Sequence, residues 1–557
     1  MSEPWLFQVV IFLCVLTVVA IFLGEYMAKV FTGEKTFLAP VEKCLYKIFD
    51  VDTQEDMGWK TFAGNLLLFN LIGLVALFLL QELQGFLPLN PEKFKAVRWD
   101  TALNAAISFV TGTNWQSYKS EATMSYLTQM LGFGVQNFLA AATGMAVAVA
   151  FINAFARKNA TGIGNFWVYL TRSIIYILLP LAVVLALVLV SQGCIENLSP
   201  YVHAQTLEGK EQIIAQGPAA SQIAIKYLGT NGGGFFAANS AHPYENPTPF
   251  TDFLALLSFL VIAAAFPFTF GAMVNNRARG WTIFIAMMLL FVAGLGVTLW
   301  SELHGNPLLA KLGIQNGINM EGKEVRVGSL ASAFFTNATT ATSSGATNAS
   351  FGSLMPLTGL VAIFNMVIGG IIFGGVGSGL VGMLFYAVLT MFLIGLMIGR
   401  SPEIYGKKLE PYEMVVVITA LFLPGIFKLI LSAIAVSTDV GIAGLGEPSS
   451  HGLTEIIYAY ASSIGNNGSS FGGLNFNTPF YNLTTAFAML AGRLILILSA
   501  LALAGSLVQK KTLPVARCFP TTSPLFVMVL AGIVVINALS FFPIFVLGPI
   551  LEQLQIF

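Results

Sequence analysis

Residues 452–473 read GLTEIIYAYASSIGNNGSSFGG: an apolar run that suits a helix of a few turns, too short to cross a bilayer, stopped by a polar, glycine-rich turn. The same arrangement occurs three times upstream. RWDTALNAAISFVTGT at 98–113 runs into TGTNWQSY at 111–118, AASQIAIKYLG at 219–229 into TNGGGFF at 230–236, and VGSLASAFFTNATTAT at 327–342 into TSSGA at 342–346. Aligning the turns on Asn114, Gly232, Gly345 and Gly468 gives a period of about 115–120 residues, an internal fourfold repeat of helix, short helix, polar turn, helix.

The sequence around these segments belongs in lipid. Hydrophobic residues make up 56% of the 557-residue chain and charged residues 10%, with a mean hydropathy of +0.78, too apolar for an ordinary soluble domain. Runs long enough to cross about 30 Å of hydrocarbon lie near 5–28, 60–83, 127–154, 166–192, 251–275, 281–300, 353–398, 413–437, 480–508 and 524–548, about ten crossings, with 353–398 too long for one simple helix. The first run is too long for a signal peptide and is expected to stay in the membrane. Lys29, Lys35, Lys43 and Lys47 follow the first crossing, Arg157 and Lys158 the third, Arg277 and Arg279 the fifth, Arg400, Lys407 and Lys408 the seventh, and Lys510, Lys511 and Arg517 the ninth. Every second connection is therefore basic and reads as cytoplasmic, with both termini outside. The predicted organisation is an all-α membrane protein: an N-terminal helix and loop (1–58), four pore repeats (59–158, 159–279, 280–408 with a broken second helix, 409–511) and a C-terminal helix (512–557).

Lipid cannot satisfy the N–H and C=O groups of irregular backbone, so four such turns are expected to meet around a shared axis. A ring of backbone carbonyls would replace the water of a monovalent cation without fixed negative charge, and the dipoles of four short helices would point their negative ends at it. Asn114, Thr230, Asn231, Ser343, Asn466 and Asn467 are neutral oxygen donors and no carboxylate lies inside the turns, which disfavours calcium or magnesium. One such turn alone reads more simply as a loop connection. Glycine-broken helices also build transporters, though usually with two repeats.

Three further features carry alternatives. The stretch GGIIFGGVGSG at 369–379 reads as a break in the seventh crossing, with Gly374, Gly375, Gly377 and Gly379 forming an intramembrane loop below the filter; close helix packing by small residues is the simpler account. Arg493 lies within FAMLAGRLILIL, where a charge costs at least about 2.5–3.5 kcal/mol unless it faces a cavity or partner. It would set where the ion stops, or else pair with a helix end. Lys428, in LPGIFKLIL, reads as a snorkelling side chain.

Other chemistry is unsupported. There is no DKTGT-type phosphorylation motif and no GxxxxGK[ST] loop, so the chain is not expected to hydrolyse ATP. His203, His242, His304 and His451 are isolated, and Cys14, Cys44, Cys194 and Cys518 have no metal-ligand spacing. With 27 basic and 27 acidic residues, nothing points to nucleic acid.

The strings TNWQSY (113–118), LGTNGGGFF (228–236) with NSAHPYENPT (239–248), NMEGKEVRVG (319–328), FGGVGSGL (373–380) with GLMIGRSPE (395–403), and NNGSSFGGL (466–474) resemble, from end to end, the potassium-binding subunit of the bacterial Kdp potassium pump. That family is similar in plan to stand-alone Trk and Ktr potassium channels, with an extra helix at each end. The resemblance implies a potassium filter at Gly112, Thr113 and Asn114, at Thr230, Asn231 and Gly232, at Ser343, Ser344 and Gly345, and at Asn466, Asn467 and Gly468. Many relatives carry cysteine where Ser344 stands and asparagine where Gly112 stands, which matters little if backbone carbonyls are the ligands. It also implies a gate at the 369–379 loop, with Arg400 interacting with it. The partners implied are a P-type ATPase catalytic subunit, a single-span accessory subunit and a small membrane peptide, in the bacterial inner membrane and its lipid. Potassium is the only small ligand expected, with no organic cofactor. The other reading is a stand-alone channel or symporter of the Trk/Ktr type.

Overall fold

The computed structural model describes residues 3–314, 317–446, 448–511 and 519–556; Arg517 and Cys518 of the sequence reading lie outside them. Helix α1 (Glu3–Thr32) precedes four repeats. The first comprises α2 (Trp59–Leu83), the short α3 (Trp99–Val110) and α4 (Val135–Ala156), which runs on from a π-helical turn at Thr128–Gly134. The second comprises α5 (Phe166–Ser191), α6 (Ala219–Leu228) and α7 (Pro249–Met273). The third comprises α8 (Arg277–Leu303), α9 (Ser329–Ala341), α10 (Pro356–Val367) and α11 (Ser378–Met397). The fourth comprises α12 (Pro411–Ser437), α13 (Ser450–Ile464) and α14 (Pro479–Gln509). Helix α15 (Pro524–Leu539) then bends by 69° into α16 (Phe542–Ile556). Nine helices among the described residues are long and apolar enough to span, ten if the bent pair counts as one.

Local chemistry sets the starts. Proline, whose missing N–H costs nothing in a first turn, opens α7, α10, α12, α14 and α15. Just before three of them a hydroxyl caps the exposed amides: Thr248 accepts from Thr251 N (3.2 Å), Thr478 from Tyr481 N (3.3 Å) and Ser523 from Phe526 N (3.2 Å). The overlong crossing at 353–398 is two helices, because 368–377 contains Gly369, Gly370, Gly374 and Gly377, all at positive φ.

Helices following the turns form the interior. The windows of α4 and α7 are 89% and 83% buried, whereas that of α2 is 17% buried. Alanine and glycine in α4 permit close approach: a Cβ added at Gly144 would press on the Val376 carbonyl.

The two ends of the bundle differ. At one, the basic residues of alternate connections gather. A two-stranded hairpin, β1 (Val202–Gln205) and β2 (Glu211–Ile214), lies in the connection before α6. A second, β3 (Glu403–Ile404) and β4 (Lys407–Lys408), belongs to the basic end and turns at Tyr405 and Gly406, both at positive φ (50° and 81°). Lys407, expected as a surface charge, is only 2% exposed. Its Nζ donates to Ala154 O (2.5 Å), Arg157 O (2.8 Å) and Leu507 O (2.7 Å), tying together the last turns of α4 and α14. Tyr405 packs against Phe155 and Phe270, with the Arg279 guanidinium 4.2 Å from its ring centre.

Both termini lie at the other end, beside the starts of the short helices. Trp5 packs on Phe334 of α9, and α16 docks on α13 through Glu552, which accepts from Thr454 and pairs with His451 Nδ1 (2.9 Å). The hydrogen bond to Glu552 is the largest influence on His451 and raises its pKa above the ordinary 6.5; Glu455, 3.6 Å from Nε2, adds to it, and burial opposes both. A raised histidine pKa stabilises fully below 6.5 and loses that contribution as pH rises through the folded value. The melting temperature in detergent should therefore fall between about pH 6 and pH 9, and His451→Gln should flatten that slope; an equal slope in the variant would disprove the assignment.

Candidate ion filter

The four glycine-rich turns meet as a closed ring. Between repeats one and two, Asn114 Nδ2 donates to Gly233 O (2.8 Å), and Gln116 donates to Gly234 O (3.0 Å) and accepts from Gly234 N (3.1 Å). Gly232 packs so closely on repeat three that a Cβ would overlap Ser344 O. Repeat three meets four through Asn467 Nδ2, which donates to Thr339 O (2.8 Å) and Thr342 O (3.1 Å), and through Gly345, set against Asn467 O. The ring closes where Asn466 Nδ2 donates to Thr113 Oγ1 (2.9 Å) and Gly468 lies against Thr113 O.

Backbone conformation repeats as well. The third residue of each triplet is left-handed in all four turns: Asn114 (φ 52°), Gly232 (120°), Gly345 (70°) and Gly468 (97°). The first is left-handed in three: Gly112, Thr230 and Asn466. Thr230 is β-branched and costly in that region. Its hydroxyl is engaged on both sides, donating to Gly229 O (2.7 Å) and accepting from Val376 N (3.0 Å).

This geometry leaves oxygens without donors. Among the described residues, no hydrogen bond ends on the backbone carbonyl of Gly112, Thr113, Thr230, Asn231, Ser343, Ser344, Asn466 or Asn467. The side-chain oxygens Asn114 Oδ1, Asn231 Oδ1 and Ser344 Oγ are likewise buried without a partner. Buried acceptors left unpaired each cost about 1–3 kcal/mol, and a desolvated cation is the partner that a ring of carbonyls suits. Gly232 differs, since its carbonyl accepts from Asn239 Nδ2 (2.6 Å).

The ring separates two spaces. On the side of the chain termini is an open vestibule of about 390 Å³ lined by Asn114, Gly233, Gly345 and Gly468. On the other is a cavity of about 80 Å³ lined by Gly112, Thr230, Ser343 and Asn466, well above the roughly 10–15 Å³ that one water needs. The 368–377 loop forms part of its wall: Gly375 adjoins Ser343, Gly374 N donates to Ala341 O (3.1 Å) and Gly377 is packed on backbone of Gly144, while Gly379, expected in the loop, lies in the first turn of α11 against Phe373 O. Arg493 reaches the same cavity, donating to Ala140 O (3.1 Å) while its Nε is buried without a partner.

Two expectations need correction. Lys428 does not snorkel: it is 3% exposed, lines this cavity, and donates to Met366 O (2.8 Å) and Val367 O (3.0 Å) at the end of α10. Arg400 is exposed beyond the far end of α11, about 30 Å of helix from Ser378, so it is not brought to the loop. Sequence reasoning also missed two fully buried ion pairs around the vestibule, Lys226–Glu245 and Lys323–Glu302 (2.9 Å). The lysine inside AASQIAIKYLG was the available signal for the first.

These features define a class: a multi-pass helical membrane protein with four pseudo-equivalent loops that meet in a ring and leave carbonyl oxygens without donors. Residues 10–554 match the family described as KdpA, potassium-transporting ATPase A subunit, and the chain belongs to that family. It is 48% identical over 557 residues to a protein of Rhizobium rhizogenes, covering 99% of this chain and 98% of the relative. With a protein of Methanoregula boonei it shares 50% identity over 574 residues (99% and 98% covered). Both are named potassium-transporting ATPase potassium-binding subunit. The fold is also that of the potassium transporter TrkH from Vibrio parahaemolyticus, with a TM-score of 0.51 and 15% identity over 86% of this chain and 96% of that one.

Adding a methyl group at Gly345 or Gly468 incurs the left-handed penalty of about 1–3 kcal/mol and pushes a neighbouring turn outward. Gly345→Ala and Gly468→Ala should each weaken discrimination against sodium in competition uptake assays. Gly232→Asp, which also introduces a carboxylate, should do so more severely; unchanged selectivity in all three would exclude this ring as the filter.

Proposed function

We propose that the ring of unpaired carbonyls selects potassium from the extracytoplasmic vestibule for an ATP-driven uptake pump, of which this chain is the ion-binding, non-catalytic subunit. The observation that carries this reading is the set of eight carbonyls without donors among the described residues, with the turns that present them held by inter-repeat contacts. Membership of the potassium-transporting ATPase family supports the pump over the stand-alone channel, because likeness to TrkH at 15% identity speaks for fold alone.

Potassium sheds its water at the ring and enters the cavity beneath, where Arg493 and Lys428 oppose a second resting site. The 368–377 loop is the gate. The basic end is the cytoplasmic face, the chain lies in a bacterial inner membrane, and both termini are outside. Energy comes from a separate P-type ATPase subunit, with a single-span subunit and a small membrane peptide completing the assembly. The hairpin at 403–408 supports lateral transfer to that partner, since it binds the last turns of inner helices together at the cytoplasmic end.

The first test is purification in mild detergent from native membranes. A co-purifying P-type ATPase with potassium-stimulated ATP hydrolysis is expected; a solitary chain conducting potassium in liposomes without ATP would overturn the pump reading. In the reconstituted complex, Lys407→Met combined with Tyr405→Ala should open an ATP-independent rubidium leak, and a tight double variant would remove the hairpin as the seal.

A further inference from the structure

Aligning the four turns places Lys226 at the position occupied by Ser108, Thr339 and Ser462 in the other repeats. In repeats one, two and four the backbone carbonyl here accepts the amide of the triplet's middle residue: Thr113 N to Ser108 O (2.9 Å), Asn231 N to Lys226 O (2.8 Å) and Asn467 N to Ser462 O (3.0 Å). Only in repeat two does a long cationic side chain leave this point. It is fully buried, pairs with fully buried Glu245, and donates to Asn239 Oδ1 (2.9 Å). Asn239, held at a positive φ of 54°, is the residue that donates to Gly232 O.

A charge pair in this setting needs a reason other than stability. Replacing a buried ion pair by apolar residues of similar size is often neutral or stabilising, and Glu245 keeps one oxygen, Oε2, buried without any partner. What the pair supplies is position. Lys226 and the Ser240 amide (3.0 Å to Asn239 Oδ1) hold the Asn239 carboxamide in one orientation, with its NH₂ toward Gly232. Gly232 in turn sits directly on Ser344 O, one of the unpaired carbonyls of the next repeat. A line of rigid contacts therefore runs from a charge behind the ring to an oxygen within it. Glu245 cancels the lysine charge, so the brace does not repel the ion it serves.

We infer that Lys226, acting through Asn239, is a positioning residue that fixes the bore of the filter on the repeat-two side and so sets its discrimination among monovalent cations. This rests on the filter reading above. The brace acts at one quadrant only, which makes the ring asymmetric despite its fourfold pattern.

The test uses the assembled complex and measures ion-stimulated ATP hydrolysis against potassium, rubidium, ammonium and sodium. Lys226→Met with Glu245→Gln removes both charges together, and Asn239→Ala removes only the last hydrogen bond, so one remains informative if the other folds poorly. Losing one positioned hydrogen bond is worth up to about tenfold in an equilibrium constant. Both variants are expected to change the potassium-to-rubidium or potassium-to-ammonium ratio by about that factor, with normal assembly and melting temperature. A purely structural pair would lower the amount of folded complex and leave the ratios of the folded fraction at wild-type values, and that result overturns the inference. Gly468→Ala, run alongside, separates the two readings: if it shifts the ratios while the brace variants do not, the brace alone is wrong, and if all are silent the filter assignment falls with it.

Discussion

Unpaired backbone cannot be left facing lipid, and the rest of this molecule is arranged around that constraint. Four turns whose carbonyls have no donors are tolerable only if they are walled off by protein and offered a cation. The walls are α4, α7, α11 and α14, whose small residues let backbone approach backbone, as where Gly492 lies on Ile464 O. The lipid-facing α1, α2 and α12 then need little more than apolar surface. Less of each is buried than of the inner helices, and their sequences are apolar nearly all round.

Fourfold repetition explains the plan, and departures from it explain the direction of function. Glycine occupies the third filter position in three repeats because a Cβ would collide with the neighbouring loop. Asn114 takes that place in the first, where its side chain is drawn aside to Asn137 and Gly233. The third repeat alone breaks its inner helix, and the resulting loop touches the filter from below through Val376 N and Thr230 Oγ1. A homotetrameric pore could not confine a brace, a break or a cationic side chain to one quadrant. A single chain with four diverged repeats can, as the lateral delivery proposed above would require.

Hydropathy and glycine placement made much of this legible before any coordinates. The short helices, the turns that follow them and the break near 369–379 are local features, determined by residues close together in the chain. What was not legible depends on contacts between distant segments. Lys407 and Lys428 both read in sequence as charges turned toward water, one in a basic connection and one snorkelling from within a crossing. Both prove buried, because Ala154 O and Met366 O lie within reach of their ammonium groups. Lys226 was visible as a charge in an apolar run, but its meaning needed Glu245 and Asn239, which come later in the chain and fold back over the pore helix. Prolines opening five membrane helices were a boundary signal of the kind local reading can use.

The ring and the cavity beneath it differ in charge. The ring presents neutral oxygens, whereas the described residues lining the cavity include two cationic side chains and no carboxylate. Lys428 spends its charge on the end of α10, but Arg493 has a single carbonyl contact and an unpartnered Nε. On the filter reading proposed above, an ion leaving the ring would meet positive charge and gain little by staying. Part of the same cavity wall is Leu421 and Pro424 of α12, the helix that carries exposed apolar side chains such as Phe422 and Ile426 on its outer surface. Helix α12 thus carries cavity wall on one face and exposed apolar surface on the other, which is where the lateral transfer proposed above would have to pass.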